Sequence, residues 1–440
     1  MQMTSERETC LPATRRVTGF DRSTASLRCL LLIAVTLATA GCAGDLTRNP
    51  VPVAEMAAAE PPGEPHVRDE GLALSPTLQA DLEQSLRDES DDIYCQDESG
   101  APSYCSLALS GGGGFGAFGA GFLNGWTDAG TRPTFKVVTG ISTGAMIAPF
   151  AFVGPKYDEA LKESFTTVSD ADVYTSKGVT AVLGDESFLD SAPLAARIAK
   201  SVDDDLIADV AAAHKAGRRL MIGTANMDRQ EFVVWNMGAI ASSGDPDAPE
   251  LFRKVLLASA SMPGIFPTTL IDVEVDGVAY DEMHGDGGLF TPVFFHSLVV
   301  DPHRAVETVA AEDGRERPKR GQLYVIRHDI VTPQPKQIER RLKPIVGRAI
   351  STMVKAMSLA NLYFIYVEAL AADTEFNYVS LPQDFVWESD DEFDTAEMNR
   401  LYQIGYDMAK AGHTWQKVPP QFDQSPLARH PHSLIEAAGP

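Results

Sequence analysis

Three short stretches of the chain carry residue types that could perform acyl chemistry. Ser110-Gly111-Gly112-Gly113-Gly114-Phe115-Gly116 follows the apolar run Ser106 to Leu109 and leads into a helix-compatible Ala117 to Leu123. Consecutive glycines free backbone N–H groups to converge on an anion, and the N-terminus of a following helix adds partial positive charge. That anion could be a phosphate or the oxyanion of a tetrahedral intermediate. Gly140-Ile141-Ser142-Thr143-Gly144 is a G-x-S-x-G between β-like Phe135 to Val138 and helix-like Ala145 to Ala148, the strand–turn–helix setting of a nucleophile elbow. Gly140 and Gly144 permit the sharp turn, and Ser142 would project at the C-terminal edge of a sheet. A glycine loop from the preceding strand would end beside it, so Gly111, Gly112, Gly113 and Gly114 could form an oxyanion hole for that serine. The third stretch, Asp286-Gly287-Gly288, places a carboxylate beside two residues small enough to admit it to a crowded site.

Each stretch has a competing reading. The G-x-G-x-x-G of dinucleotide sites is met at Gly111/Gly113/Gly116 and again at Gly114/Gly116/Gly119, but such a site also wants an acid at the end of the second strand, where Thr139-Gly140 stands. Asp-Gly-Gly could be an ordinary turn, as Asp276-Gly277 is expected to be between two hairpin strands. A Ser-His-Asp triad in α/β-hydrolase order would draw on His296, His303 or His328, none in a distinctive setting. Without C-x-x-C, a structural zinc is not expected, and the chemistry calls for no metal or other cofactor.

The elements that must hold these stretches alternate between apolar strands and helical patterns, which predicts an α/β fold with a central, mostly parallel sheet flanked by helices. Strands are predicted over Ser106–Leu109, Phe135–Val138, Leu220–Thr224, Glu231–Trp235 and Gln322–Arg327. Helices are predicted over Gly119–Asp128, Ala145–Val153, Ala192–Ser201, Leu206–Ala216 and Ile345–Ala371. Ser75-Pro76, with Leu78, Leu82 and Leu86 repeating at i, i+4, reads as a capped lead-in helix. Asp301–Gly321 reads as a charged surface excursion. Phe115, Phe118, Met146, Met262 and Phe266 would suit a fatty chain near the site and are equally well explained as core.

With these motifs in this order, the chain resembles the patatin-like phospholipase family over most of residues 106–418. That family carries a glycine-rich oxyanion loop, a G-x-S-x-G serine and a D-G-G/A aspartate, which look like Gly111–Gly116, Ser142 and Asp286. Ala258 to Pro267 is similar to its stretch ahead of the aspartate. The resemblance implies a three-layer sandwich related to the α/β-hydrolases. It also implies a lipid acyl hydrolase of phospholipase, lysophospholipase or esterase type that uses a Ser-Asp dyad without histidine or cofactor. Phe115 stands where family loops commonly place Arg or Lys, which leaves open a catalytically weakened, lipid-binding lipoprotein.

Composition narrows the partners. Thirty-seven Lys+Arg against 61 Asp+Glu give a net charge of −24 over 440 residues, with 44% hydrophobic and 22% charged positions. Such a chain is globular and repels a phosphate backbone, so no nucleic acid is expected, while the resemblance implies a lipid or ester substrate at a membrane surface and no nucleotide. The same sign argues against strong electrostatic docking to anionic lipid. Arg15, Arg16, Arg22 and Arg28 precede a run from Cys29 to Ala40 that is too short to span a bilayer and suits an export signal over residues 1–41. Ala38-Thr39-Ala40 offers a plain cleavage site, and Thr39-Ala40-Gly41-Cys42 resembles a bacterial lipobox that would anchor Cys42 by lipid in the envelope. In that oxidising compartment Cys95 and Cys105 are expected to pair. Residues 42–103 read as an acidic Pro/Ala-rich tether plus the lead-in helix, 104–418 as the catalytic domain, and 419–440 as a tail.

Overall fold

The computed structural model describes residues 47–71, 73–178, 185–330, 332–420 and 422. The expected export signal, Cys42 and nearly all of the tail lie outside them. The described strands that build the main sheet are β1 (Arg68–Glu70), β2 (Pro102–Leu109), β3 (Val137–Gly140), β4 (Arg219–Asn226), β5 (Glu231–Asn236), β6 (Thr269–Val275), β7 (Val278–Asp286), β8 (Gly321–Arg327) and β9 (Thr374–Ser380). The helices that cover it include α1 (Pro76–Asp88), α2 (Gly116–Asp128), α3 (Thr143–Val153), α4 (Ala192–Ser201), α5 (Asp204–Lys215), α6 (Ala248–Ser259), α7 (Pro302–Asp313), α8 (Leu342–Ala371) and α9 (Thr395–Lys410).

The sheet runs β1-β5-β4-β3-β2-β8-β9, with β4-β3-β2-β8-β9 parallel and β5 and β1 added antiparallel at one edge. Because successive strand residues point to opposite faces, each central strand feeds two cores. Leu107 and Leu109 of β2, Leu220 and Ile222 of β4, and Val233 and Trp235 of β5 join a core roofed by α2, α3, α5, α6 and α9. The alternate residues Met221, Phe232 and Val234 pack under α1 and α7, while Ala108, Leu323 and Val325 pack under α8. The result is a three-layer α/β sandwich whose central strands, buried on both sides, read as continuous apolar runs.

Two segments differ from expectation. Residues 48–70, read as the end of a tether, belong to the domain. Both Arg48 Nη atoms lie 2.7 Å from the Asp228 carboxylate and its Nε 2.8 Å from Asp281, Val51 and Ala59 are buried against Val273 and Val275, and β1 pairs with the edge of β5. Composition reads as tether, whereas edge pairing and a two-carboxylate clamp are long-range contacts. Asp301–Gly321 is also no mere excursion: Asp301 caps α7 by accepting from the Arg304 amide, and Ala305 and Val309 bury their side chains beside α1. β9, with Phe376 and Tyr378 buried, is a strand the periodicity did not single out. Cys95 and Cys105 are disulfide-bonded and tie the short strand Cys95–Gln96 to β2.

Candidate active site

At the end of β3 the backbone makes the turn that the glycine spacing implied. Ser142 sits at φ 55°, ψ −125°, outside the regions L-residues favour, and α3 begins at the next residue. Two contacts hold the turn. The Ser142 amide donates to Ser259 Oγ at 3.0 Å, whose hydroxyl donates to the Gly223 carbonyl at 2.7 Å. The flanking glycines are steric requirements: a Cβ on Gly140 would lie 2.5 Å from the Gly144 carbonyl oxygen, and one on Gly144 would lie 2.3 Å from that of Leu109.

Asp286 arrives from the opposite direction. β3 and β7 occupy the same edge of β4 end to end, since β5 holds the other edge: Gly140 pairs with Ile222 in parallel, and Asp286 pairs with Thr224 antiparallel. Ends aimed at each other two β4 residues apart are separated by roughly 7 Å, so the residues leaving them must meet. They do. Asp286 and Ser142 line the same cavity wall, near enough for the Ser142 hydroxyl to act on the carboxylate, which accepts a hydrogen bond from the Gly288 amide at 2.7 Å, while the Asp286 amide donates to the Ser261 carbonyl at 2.9 Å. Burial pushes the Asp286 carboxyl up to about 6, a rise that the nearby Ser142 hydroxyl and the Gly288 amide only moderate.

The glycine loop divides its amides. Gly111 donates to the Pro292 carbonyl at 2.9 Å, so its amide holds the loop in place of facing an oxyanion, which corrects the expectation for that residue, and the Gly114 amide lies near the Glu392 carboxylate. Among the described residues Gly112 and Gly113 have no protein acceptor for theirs. Both line the cavity onto which Ser142 opens, and the loop lies against the serine, with a Cβ on Gly111 falling 3.2 Å from Ser142 Cβ. The loop is wedged from behind by His328 and Glu392: a Cβ on Gly112 would come 2.4 Å from the His328 carbonyl oxygen, and one on Gly113 2.4 Å from Glu392 Oε1.

The cavity measures about 510 Å³, room for an acyl chain, and Ser142, Asp286 and the loop sit in a wall otherwise built from Met146, Phe165, Ile198, Met262 and Phe266 among others. Of the apolar residues singled out, Met146, Met262 and Phe266 line it. Phe118 is instead fully buried in the core, and Phe115 packs on Phe385 and Trp387 with centroids 6.4 and 5.0 Å away.

None of the candidate histidines bonds Ser142. His328 Nδ1 pairs with the Ser110 carbonyl at 2.7 Å, and burial pushes the ring down to about 4. His296 is buried and pushed down to about 3. His284 lies between Thr224 Oγ1, 3.0 Å away, and Glu282, 3.2 Å away, and burial lowers its pKa too. Sequence reasoning missed Ser259 and Glu392. Ser259 stood inside the stretch Ala258 to Pro267, whereas Glu392, whose carboxyl pKa is raised by desolvation and by nearby Asp170, belongs to no motif.

Residues 107–299 match the family model described as patatin-like phospholipase. Among solved structures, the crystal structure of VipD from Legionella pneumophila is similar over 73% of this chain and 70% of that chain, at 11% identity and a TM-score of 0.35. No curated protein matches the chain.

Proposed function

Because this chain is a member of the patatin-like phospholipase family through residues 107–299, we propose that it is a serine lipid acyl hydrolase working through Ser142 and Asp286. The observation that carries the reading is the placement of these two side chains together in the wall of a large apolar cavity, with the unengaged amides of Gly112 and Gly113 alongside.

In the first half-reaction Ser142 Oγ attacks the ester carbonyl carbon while Asp286 takes the hydroxyl proton. The carbonyl π electrons move to oxygen, where the Gly112 and Gly113 amides donate hydrogen bonds to the developing charge. The intermediate collapses to an acyl-serine, and the leaving alkoxide departs with the proton that Asp286 returns. Water then attacks the acyl carbon, giving its proton to Asp286, and a second collapse frees the fatty acid and restores the serine. A carboxylate of ordinary pKa is a weak base for a hydroxyl, so burial that raises Asp286 toward neutrality favours the task. The strained Ser142 backbone serves the same end, since it keeps Oγ at the cavity wall instead of folding it into the helix.

The test is hydrolysis of p-nitrophenyl esters and of phospholipid by wild type and Ser142→Ala, with fluorophosphonate labelling in parallel. The expected result is loss of more than about a thousandfold in activity and complete loss of label, at unchanged thermal stability. Residual activity above about a tenth of wild type, or labelling that survives the substitution, overturns the assignment.

A further inference from the structure

Helix α8 changes character halfway along. In its C-terminal half Leu362, Ile365, Tyr366 and Ala369 are buried against Leu323, Val325, Phe376 and Tyr378 of the sheet. In its N-terminal half Leu342, Ile345, Val346, Ile350 and Met353 recur at i, i+3, i+4, i+8 and i+11, one face of a helix, and all are exposed, Leu342 by 80% and Met353 by 71%. A soluble protein gains nothing from a row of apolar side chains held in water. The whole helix is long and apolar enough to cross a membrane by length and composition, but only the half before Lys355 stands clear of the core. Those 13 residues extend for roughly 20 Å, short of the ~30 Å hydrocarbon core, so they fit a helix lying along an interface and do not reach across one.

Charge distinguishes this segment from the rest of the chain. Between residues 336 and 355 stand six basic residues, Lys336, Arg340, Arg341, Lys343, Arg348 and Lys355, against one acidic residue, Glu339, in a protein of net charge −24. Arg348 and Lys355 donate to the carbonyls of Gln334 and Thr332, which ties the basic arm to the helix without neutralising either cation. The position of the segment is also informative. Val354, directly after Met353, lines the cavity that holds Ser142. So does Ile265, 48% exposed, and Phe188, 56% exposed, donates its amide to the neighbouring Gly264 carbonyl. The cavity mouth therefore has an apolar rim with a cationic arm at one side.

We propose that the N-terminal half of α8 is an interfacial docking helix that seats the cavity mouth on an anionic lipid surface. The basic arm is drawn to the headgroups, the apolar row enters the acyl boundary, and the acidic remainder is repelled, so that one orientation is selected. The purpose of the docking rests on the hydrolase reading above, but the binding itself does not depend on catalysis.

The experiment uses the full chain carrying Ser142→Ala and Cys42→Ser, so that neither turnover nor an acyl anchor contributes. Its partition is measured by flotation with vesicles of phosphatidylcholine and phosphatidylglycerol at 7:3, and with phosphatidylcholine alone. Expected are binding to the anionic vesicles, weakening in high salt, and loss of at least about tenfold in partitioning when Ile350→Glu and Met353→Glu are added. The same two changes in otherwise wild-type protein should leave hydrolysis of a monomeric water-soluble ester intact while slowing hydrolysis of vesicle lipid. Absence of vesicle binding overturns the proposal, as does binding that survives the double substitution. Sedimentation decides against it in another way: a dimer that the substitutions convert to monomer, without vesicle binding, makes the apolar row a subunit contact.

Discussion

Glu282 and Asp286 lie four residues apart on β7, on the same face of the strand, and each is only 2% exposed. Burial pushes both carboxyls upward, yet they end at opposite extremes. Around Glu282 the hydrogen bond from His284 and the guanidinium of Arg68 overcome burial and hold the group at about 2. Around Asp286 no cation intervenes, and the group rests at about 6. Depth in the protein does not decide what a carboxylate is for. A paired one is a structural anion that fastens β1 to the β6–β7 hairpin, and an unpaired one has the raised pKa that the proposed base requires.

The largest expected effect separates the two roles at Asp286. Asp286→Asn should lower kcat by about 10²- to 10⁴-fold, the usual loss when a positioned base is removed. It should also stabilise the fold at pH 8, by on the order of 2 kcal/mol, because a folded pKa above the unfolded value near 4 means that holding the charged form is unfavourable. The gain should disappear as pH falls through about 6 toward 4, where wild type becomes protonated in both states. Urea denaturation at the two pH values, beside kcat, checks both halves, and an asparagine variant less stable than wild type at pH 8 would break the contrast.

Glu282→Gln should do the reverse. Leaving Arg68 buried with only Glu70, 3.9 Å away, as a counter-charge should cost about 3 kcal/mol in unfolding free energy, while kcat/KM of the folded protein stays within about threefold of wild type. A catalytic loss rivalling that of Asp286→Asn would mean that the row Glu282, His284, Asp286 acts as one unit.

The smallest effect sharpens the choice of base. The pH dependence of kcat/KM should rise tenfold per unit up to about pH 6 and then level, following ionisation of Asp286. An ordinary histidine would titrate close by, so position alone is a weak discriminator; the type of charge is a better one. Adding an organic cosolvent raises the pKa of a neutral acid, which separates charge when it ionises, and leaves an imidazolium nearly unmoved. An upward shift of the limb supports the carboxylate, whereas a stationary limb abolished by one histidine substitution favours a Ser-His enzyme. His296 at about 3 and His328 at about 4 lie too low to produce a limb at 6.

The site was legible where chemistry depends on local geometry. Glycine loops and elbows need particular residue types at fixed spacing, so Ser142, Asp286 and the loop could be named as candidates from the chain alone, and the fold brings them to one cavity. Which amides the loop keeps free could not, because Pro292, which takes the Gly111 amide, and Glu392, which lies against Gly113, come from distant segments without a motif. The fold follows the same division. Strands buried on both faces announce themselves by continuous apolar runs, whereas residues 48–60 look like a solvated linker because their attachments, Asp228, Asp281 and the face of β6, are more than 170 positions away. For α8 the period showed a helix, but a pattern of apolar residues does not say whether protein or something else covers them.

The turn at Asp276-Gly277, with φ of 51° and 78°, sets the phase in which β7 comes back from β6 toward β4. Side chains on a strand alternate, so a slip of one residue in that hairpin would carry Asp286 to the opposite face of the sheet and leave Ser142 facing a neighbour of it. Such a protein would keep its layers, its elbow and its glycine loop and still lack the carboxylate proposed as its base. The length of a two-residue corner, far from any substrate, is thus part of the specification of the reaction, and insertions there should be tolerated by folding and selected against by function.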